Sequence, residues 1–152
     1  MTWLLDSIIP PIQLENYFFT NVQFEAFPVS EKGKPSFPPI RKPVIQVSRL
    51  DDKKTRWGIL LLVESEKPSE EKNQCFSFRL NVYGIFNWKG EEITEKNSDE
   101  IKKAIAVSGT GILFGSCREF LQTIVSKGPY PGYRLPAVRF VPTELQIKDI
   151  SE

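Results

Sequence analysis

Along residues 76 to 83, Phe76, Phe78, Leu80 and Val82 alternate with Ser77, Arg79, Asn81 and Tyr83, and the apolar run continues to Phe86 and Trp88. A period of two predicts a strand covered on one face. Leu14 to Ala26 reads the same way, with Leu14, Phe18, Val22, Phe24 and Ala26 on one face and Asn21, Gln23 and Glu25 on the other. Val44 to Leu50 predicts a shorter strand, Ile45 and Val47 opposing Gln46 and Ser48, closed by the turn residues Asp51-Asp52-Lys53-Lys54. In Arg56 to Glu64, Trp57, Ile59, Leu61 and Val63 share one face while Leu60 and Leu62 occupy the other, so both faces expect cover. Four strands at hairpin spacing, with no helix between them to make parallel crossovers, predict an antiparallel sheet.

Beyond Trp88 the period changes. Asn97 or Ser98 can cap a short helix with Asp99 and Glu100 in its first turn, Ile101 and Ile105 on its buried side and Gly109 past its end. A second helix is expected where Leu113, Cys117, Phe120, Leu121 and Ile124 recur at spacings of three and four, stopped by Gly128-Pro129. Gly109-Thr-Gly111 reads as the hinge between them, since the lysine and hydroxyl residue of a phosphate-cradling loop do not follow. The fold class is therefore α+β: a four-stranded antiparallel sheet followed by two helices packed on one face. One domain spans 1–152, with an extension over 1–13, a proline-rich loop over 28–43 that suits neither helix nor sheet interior, and an atypical ending over 141–152.

Composition removes most chemistry. The chain has no histidine and two cysteines, so imidazole-based catalytic groups and cysteine zinc sites lack their parts; no enzyme activity, cofactor or metal is expected. Glu64 and Glu66 read as part of a solvated turn, and Cys117 as an inert thiol on an apolar stripe. A net charge of +1 gives no electrostatic reason to favour nucleic acid. No apolar run approaches the roughly 20 residues of a membrane span, and Met1 to Asp6 lacks a basic start, so a cytoplasmic location is expected. Eleven phenylalanines bring large apolar area with no polar tip to satisfy. A sheet roofed on one side leaves apolar surface on the other, with Leu60 and Leu62, Tyr17 and Phe19 as candidates to supply it; such surface is a subunit interface or a ligand site. A small apolar-ligand carrier is one alternative.

Several pieces in one order resemble the protein-export chaperone family SecB: Val22-Gln-Phe-Glu-Ala26, Gly84-Ile-Phe86, Ile112-Leu-Phe114, and Ile124-Val-Ser-Lys-Gly-Pro-Tyr-Pro131 with Leu135-Pro136 beyond. The likeness runs from about Leu14 to Phe140. It implies an ATP-independent holdase for unfolded polypeptides, acting in protein export, and a homotetramer built as a dimer of dimers through the long helix. On the helix the implied interface is Leu113, Cys117, Phe120, Leu121 and Ile124. The implied client grooves draw on Ile45, Val47, Ile85 and Phe86, with Pro129, Tyr130, Tyr133 and Leu135 from the segment after the helix. That segment reads equally as a rigid surface loop. Family members dock the SecA translocation motor through carboxylates on the exposed sheet face; Glu25 matches one such position, but Asn21 and Arg79 stand where acids are expected. The family's zinc-binding tail is replaced by Pro142 to Ile150. These departures fit a dedicated chaperone of an antitoxin or of a few clients as well as a general export factor.

Overall fold

The alternation centred on Phe76 to Val82 becomes the strand around which the domain is built. The computed structural model describes residues 11–27, 36–51, 55–67 and 73–128, and the backbone of 147–149. In chain order the elements are β1 (Ile12–Ala26), β2 (Val44–Arg49), β3 (Arg56–Glu64), β4 (Phe76–Trp88), α1 (Ser98–Ser126) and β5 (Ile147–Asp149). They make one sheet in the order β1-β4-β3-β2-β5; the first four strands are antiparallel, and β5 joins β2 in parallel. Of the proline-rich stretch, the described part is pinned to the sheet: Ser36 bridges to Gln74 and Ile40 to Ser65.

Register decides which side chains share a face. Val82 of β4 sits opposite Leu61 of β3 and Phe19 of β1, and Ile59 opposite Val47 of β2. Phe76, Phe78, Leu80, Val82 and Phe86 thus form one buried layer with Trp57, Ile59, Leu61, Val63, Ile45 and Val47. Against it α1 lays Ile101, Ile105, Leu113, Cys117, Leu121 and Val125. These partitions of β2, β3 and β4 follow the sequence alternation.

In β1 they do not. Register shifts between Leu14 and Asn16 and between Phe19 and Asn21 leave Glu15 and Thr20 as extra residues, each of which reverses the side on which later residues emerge. The helix-facing set is therefore Ile12, Leu14, Tyr17, Phe19, Val22, Phe24 and Ala26. Phe18, expected on the helix side, pairs with Tyr83 on the outer face, while Tyr17 and Phe19, expected outside, turn inward. The Glu15 bulge is held from the outer face by Arg56, whose Nε and Nη2 donate to its carboxylate at 3.0 and 3.2 Å, with Asn87 Nδ2 at 3.4 Å.

The two expected helices are one, continuous from Ser98 to Ser126. Gly109 is buried, and a Cβ there would overlap Ile59 Cδ1 and lie 3.3 Å from Phe86, so the glycine lets the helix close onto the sheet. The packing offsets the roughly 1 kcal/mol that a glycine costs inside a helix, and no hinge forms. Asn97 occupies the N-cap position, but its Oδ1 accepts from the Thr94 amide and hydroxyl rather than from the helix. At the other end the Lys127 and Gly128 amides donate to the carbonyls of Ile124 and Val125.

Candidate functional site

β1 is the edge strand opposite β5, and one of its sides carries no described partner. Fifteen residues of edge present a row of unpaired amides and carbonyls, which a second chain can satisfy. Large apolar residues are also uncovered there: Tyr17 is 42 % exposed, Phe18 47 % and Val22 42 %. The two bulges spread these residues over both faces. On the helix side, Phe19 stacks on Phe120 with ring centroids 4.4 Å apart, and Tyr17, Phe19, Phe120, Glu119 and Thr123 frame a shallow trough of about 240 Å³ between β1 and α1.

On the outer face Phe18 meets Tyr83 at 5.6 Å between centroids. The tip of the Tyr83 phenol lies over Gly58, where any Cβ would collide with its hydroxyl and Cζ. Half-buried Leu60, Leu62, Ile85 and Val44 continue the apolar strip, so the middle of this face is greasy rather than charged. Among the described residues, ion pairs lie at its ends: Glu15 with Arg56 at one, and at the other Glu64 with Arg41 at 3.4 Å and Arg79 at 4.0 Å. The second end opens into a hollow of about 600 Å³ that also includes Glu25 and Glu66. Glu25, Asn21 and Arg79 all fall on the outer face by register.

The remaining expected site residues divide. Ile45, Val47 and Phe86 are fully buried within the chain itself, whereas Ile85 emerges on the opposite face from Phe86, so these four do not meet on one surface. Pro129, Tyr130, Tyr133 and Leu135 lie outside the described residues. On α1, Leu113, Cys117 and Leu121 pack against the chain's own sheet, and Phe120 and Ile124 are half-buried at the border of that stripe. The solvent-facing stripe is instead Ala104, Ser108, Gly111, Ile112, Gly115 and Glu119, and a Cβ at Gly111 or Gly115 would meet nothing within 4 Å. Tyr17 and Phe19 were expected to supply uncovered apolar surface, whereas Phe18 and Val22 of β1 and the glycine stripe of α1 were not, because assigning them requires knowing the bulges and the inward face of the helix. Aromatic content in an edge strand was the only available signal.

Burial pushes the Cys117 thiol up to about 12 and raises that of Cys75, leaving both protonated. Among the described residues no three histidine, cysteine, aspartate or glutamate side chains gather as a metal site, and no helix is long and apolar enough to cross a membrane.

No family model matches the chain, and no curated protein does. Solved structures do. The Mycobacterium tuberculosis SecB-like chaperone Rv1957, solved with a ChAD peptide from the HigA1 antitoxin Rv1956, superposes with a TM-score of 0.60 at 12 % identity, over 86 % of this chain and 93 % of that one. A Streptococcus agalactiae protein of unknown function matches with a TM-score of 0.48 at 15 % identity, over 82 % and 96 %. With four antiparallel strands backed by one long helix, this chain has the fold of the SecB-like chaperones.

Proposed function

We propose that the protein is an ATP-independent holdase that binds non-native polypeptides in the cytoplasm, and that it serves a few dedicated clients rather than general export. The observation that carries this reading is the apolar edge strand: Tyr17, Phe18 and Val22 stand exposed beside an unpaired β1 backbone in a SecB-like fold. Extended segments recognised through main-chain hydrogen bonds and scattered apolar contacts need no particular sequence, as a holdase requires. Binding such a segment delays its folding by mass action, without nucleotide.

The preference for dedicated clients rests on the outer face. Its centre is the Phe18–Tyr83–Leu60 strip, and Asn21 and Arg79 stand where the family resemblance implies carboxylates, which lowers the negative charge a translocation motor would meet although Glu25, Glu64 and Glu66 remain at one end. The Mycobacterium relative was solved with an antitoxin peptide, which favours the same reading.

Copies of the chain assemble, in this reading, as a dimer of dimers. The glycine stripe of α1 allows helices to approach closely, with Phe120 and Ile124 at its margin, in place of the sheet-facing Leu113, Cys117 and Leu121.

The test is suppression of aggregation of a chemically unfolded client, with sedimentation to measure assembly. A sample that delays neither aggregation nor refolding of any unfolded protein refutes the holdase. Retention of the translocation motor in a pull-down refutes the dedicated form.

A further inference from the structure

We propose that the free side of β2 is an acceptor site for an extended client segment, and that β5 is the chain's own occupant of that site. This rests on the holdase reading above. β2 has six residues, all paired with β3 on one side; on the other, β5 covers three, with Ile45 opposite Ile147, Gln46 opposite Lys148 and Val47 opposite Asp149.

That pairing is built to be given up. Three residues make few ladder bonds, parallel pairs are slightly weaker per residue than antiparallel ones, and a strand this short lies at the lower limit of length. The edge beneath is the reverse. It is held to β3 over all six residues, and when β5 leaves it becomes the outer strand of the sheet, so the amides and carbonyls at Ile45, Gln46 and Val47 that β5 had satisfied present a row that an extended segment can pair with. A client strand that replaces β5 restores those bonds and can extend them over the positions β5 does not reach. The preferred partner is an extended peptide of at least four residues, without proline at its centre, running parallel to β2.

Occupancy by the chain's own tail sets a threshold. The tether gives β5 a high effective concentration at the edge, and a client's apparent affinity falls by the fraction of molecules in which the edge is free. Sparse or weak segments are refused, while long unfolded chains, which bind elsewhere on the surface as well, displace β5.

The experiment uses the full-length chain. Consecutive strand amides point to opposite edges, so the double variant Ile147→Pro/Lys148→Pro removes whichever of the two faces β2. Two probes are titrated: a fluorescent peptide copying residues 143–152, and reduced, carboxymethylated lactalbumin as a permanently unfolded client. The variant should bind the peptide at least several-fold more tightly than the wild-type chain and the client about tenfold more tightly, as expected if the tail fills the edge about nine-tenths of the time. Equal binding of both probes by both proteins overturns the proposal and leaves the holdase reading standing. A wild-type chain that holds no client overturns the functional reading, while the peptide arm still decides the edge. Should the variant fail to fold, hydrogen exchange on the wild-type chain decides: saturating client should speed exchange at the amides of 147–149 while those of 45–47 stay protected. Unchanged exchange at 147–149 refutes displacement.

Discussion

Three glycines in α1 offer one chemical change in opposite surroundings. Gly109 faces the sheet, where an added methyl would overlap Ile59 Cδ1 and press Phe86 at 3.3 Å; Gly111 and Gly115 face open space. Each Gly→Ala substitution gains about 1 kcal/mol of helix propensity. That gain cancels when the variants are compared with one another. What remains is overpacking at residue 109, about 1–3 kcal/mol, because Ile59 and Phe86 are fully buried and have no empty space to move into. Gly111→Ala should therefore stabilise the isolated chain by about 1 kcal/mol, and Gly109→Ala should fall about 1–3 kcal/mol below it. For a domain of this size that is a separation in Tm of roughly 2–12 °C. Urea denaturation at the lowest usable protein concentration keeps assembly out of the measurement. If Gly109→Ala proves as stable as Gly111→Ala, the helix is not seated on Ile59 and Phe86, and the account of why it runs unbroken fails.

Other consequences follow from the same packing. Leu121→Asp buries a charge against the sheet and should unfold the chain, whereas Ile112→Asp, at a position 38 % exposed, should leave the fold intact and weaken assembly; sedimentation and circular dichroism together separate the two. Gly111→Ala/Gly115→Ala should likewise loosen any oligomer that uses the glycine stripe, seen as a higher dissociation concentration, despite stabilising the monomer. Thr110 Oγ1 is buried without a hydrogen-bond partner, so Thr110→Val should stabilise by about 1 kcal/mol; a loss in urea denaturation would reveal a partner. Cys117, with its thiol pushed up to about 12 by burial, should resist a thiol reagent at pH 8 in the native protein and react on unfolding. Burial works to raise the Asp51 carboxyl, but hydrogen bonds from the Thr55 hydroxyl and the Thr55 and Arg56 amides, with the Arg56 charge, hold it below its usual value of 3.8. Its contribution to stability is thus full above that value and lost as pH falls through the lower folded one, so Asp51→Asn should differ from wild type at neutral pH and converge with it in strong acid.

The identity of the first four strands, their antiparallel sense, and the inward faces of β2, β3 and β4 were legible in the sequence, because a half-buried strand writes its burial as a period of two, whereas the pairing of β1 with β4 rather than with β2 was not. The same pattern misled in β1. An extra residue at Glu15 and another at Thr20 invert and then restore the alternation, and what holds the first is an ion pair with Arg56, distant in sequence and adjacent only through the sheet. The helix shows the same division. Its apolar stripe through Leu113, Cys117 and Leu121 was readable; whether that stripe faces the chain's own sheet or a second copy depends on what lies beneath it. Gly109 signals a break by propensity and continuity by packing, and only contact with Ile59 and Phe86 decides between them. Period and propensity are local properties written into the chain, whereas bulges, helix orientation and the pairing of β5 with β2 depend on contacts between residues far apart in sequence, and these exist only once the sheet has formed.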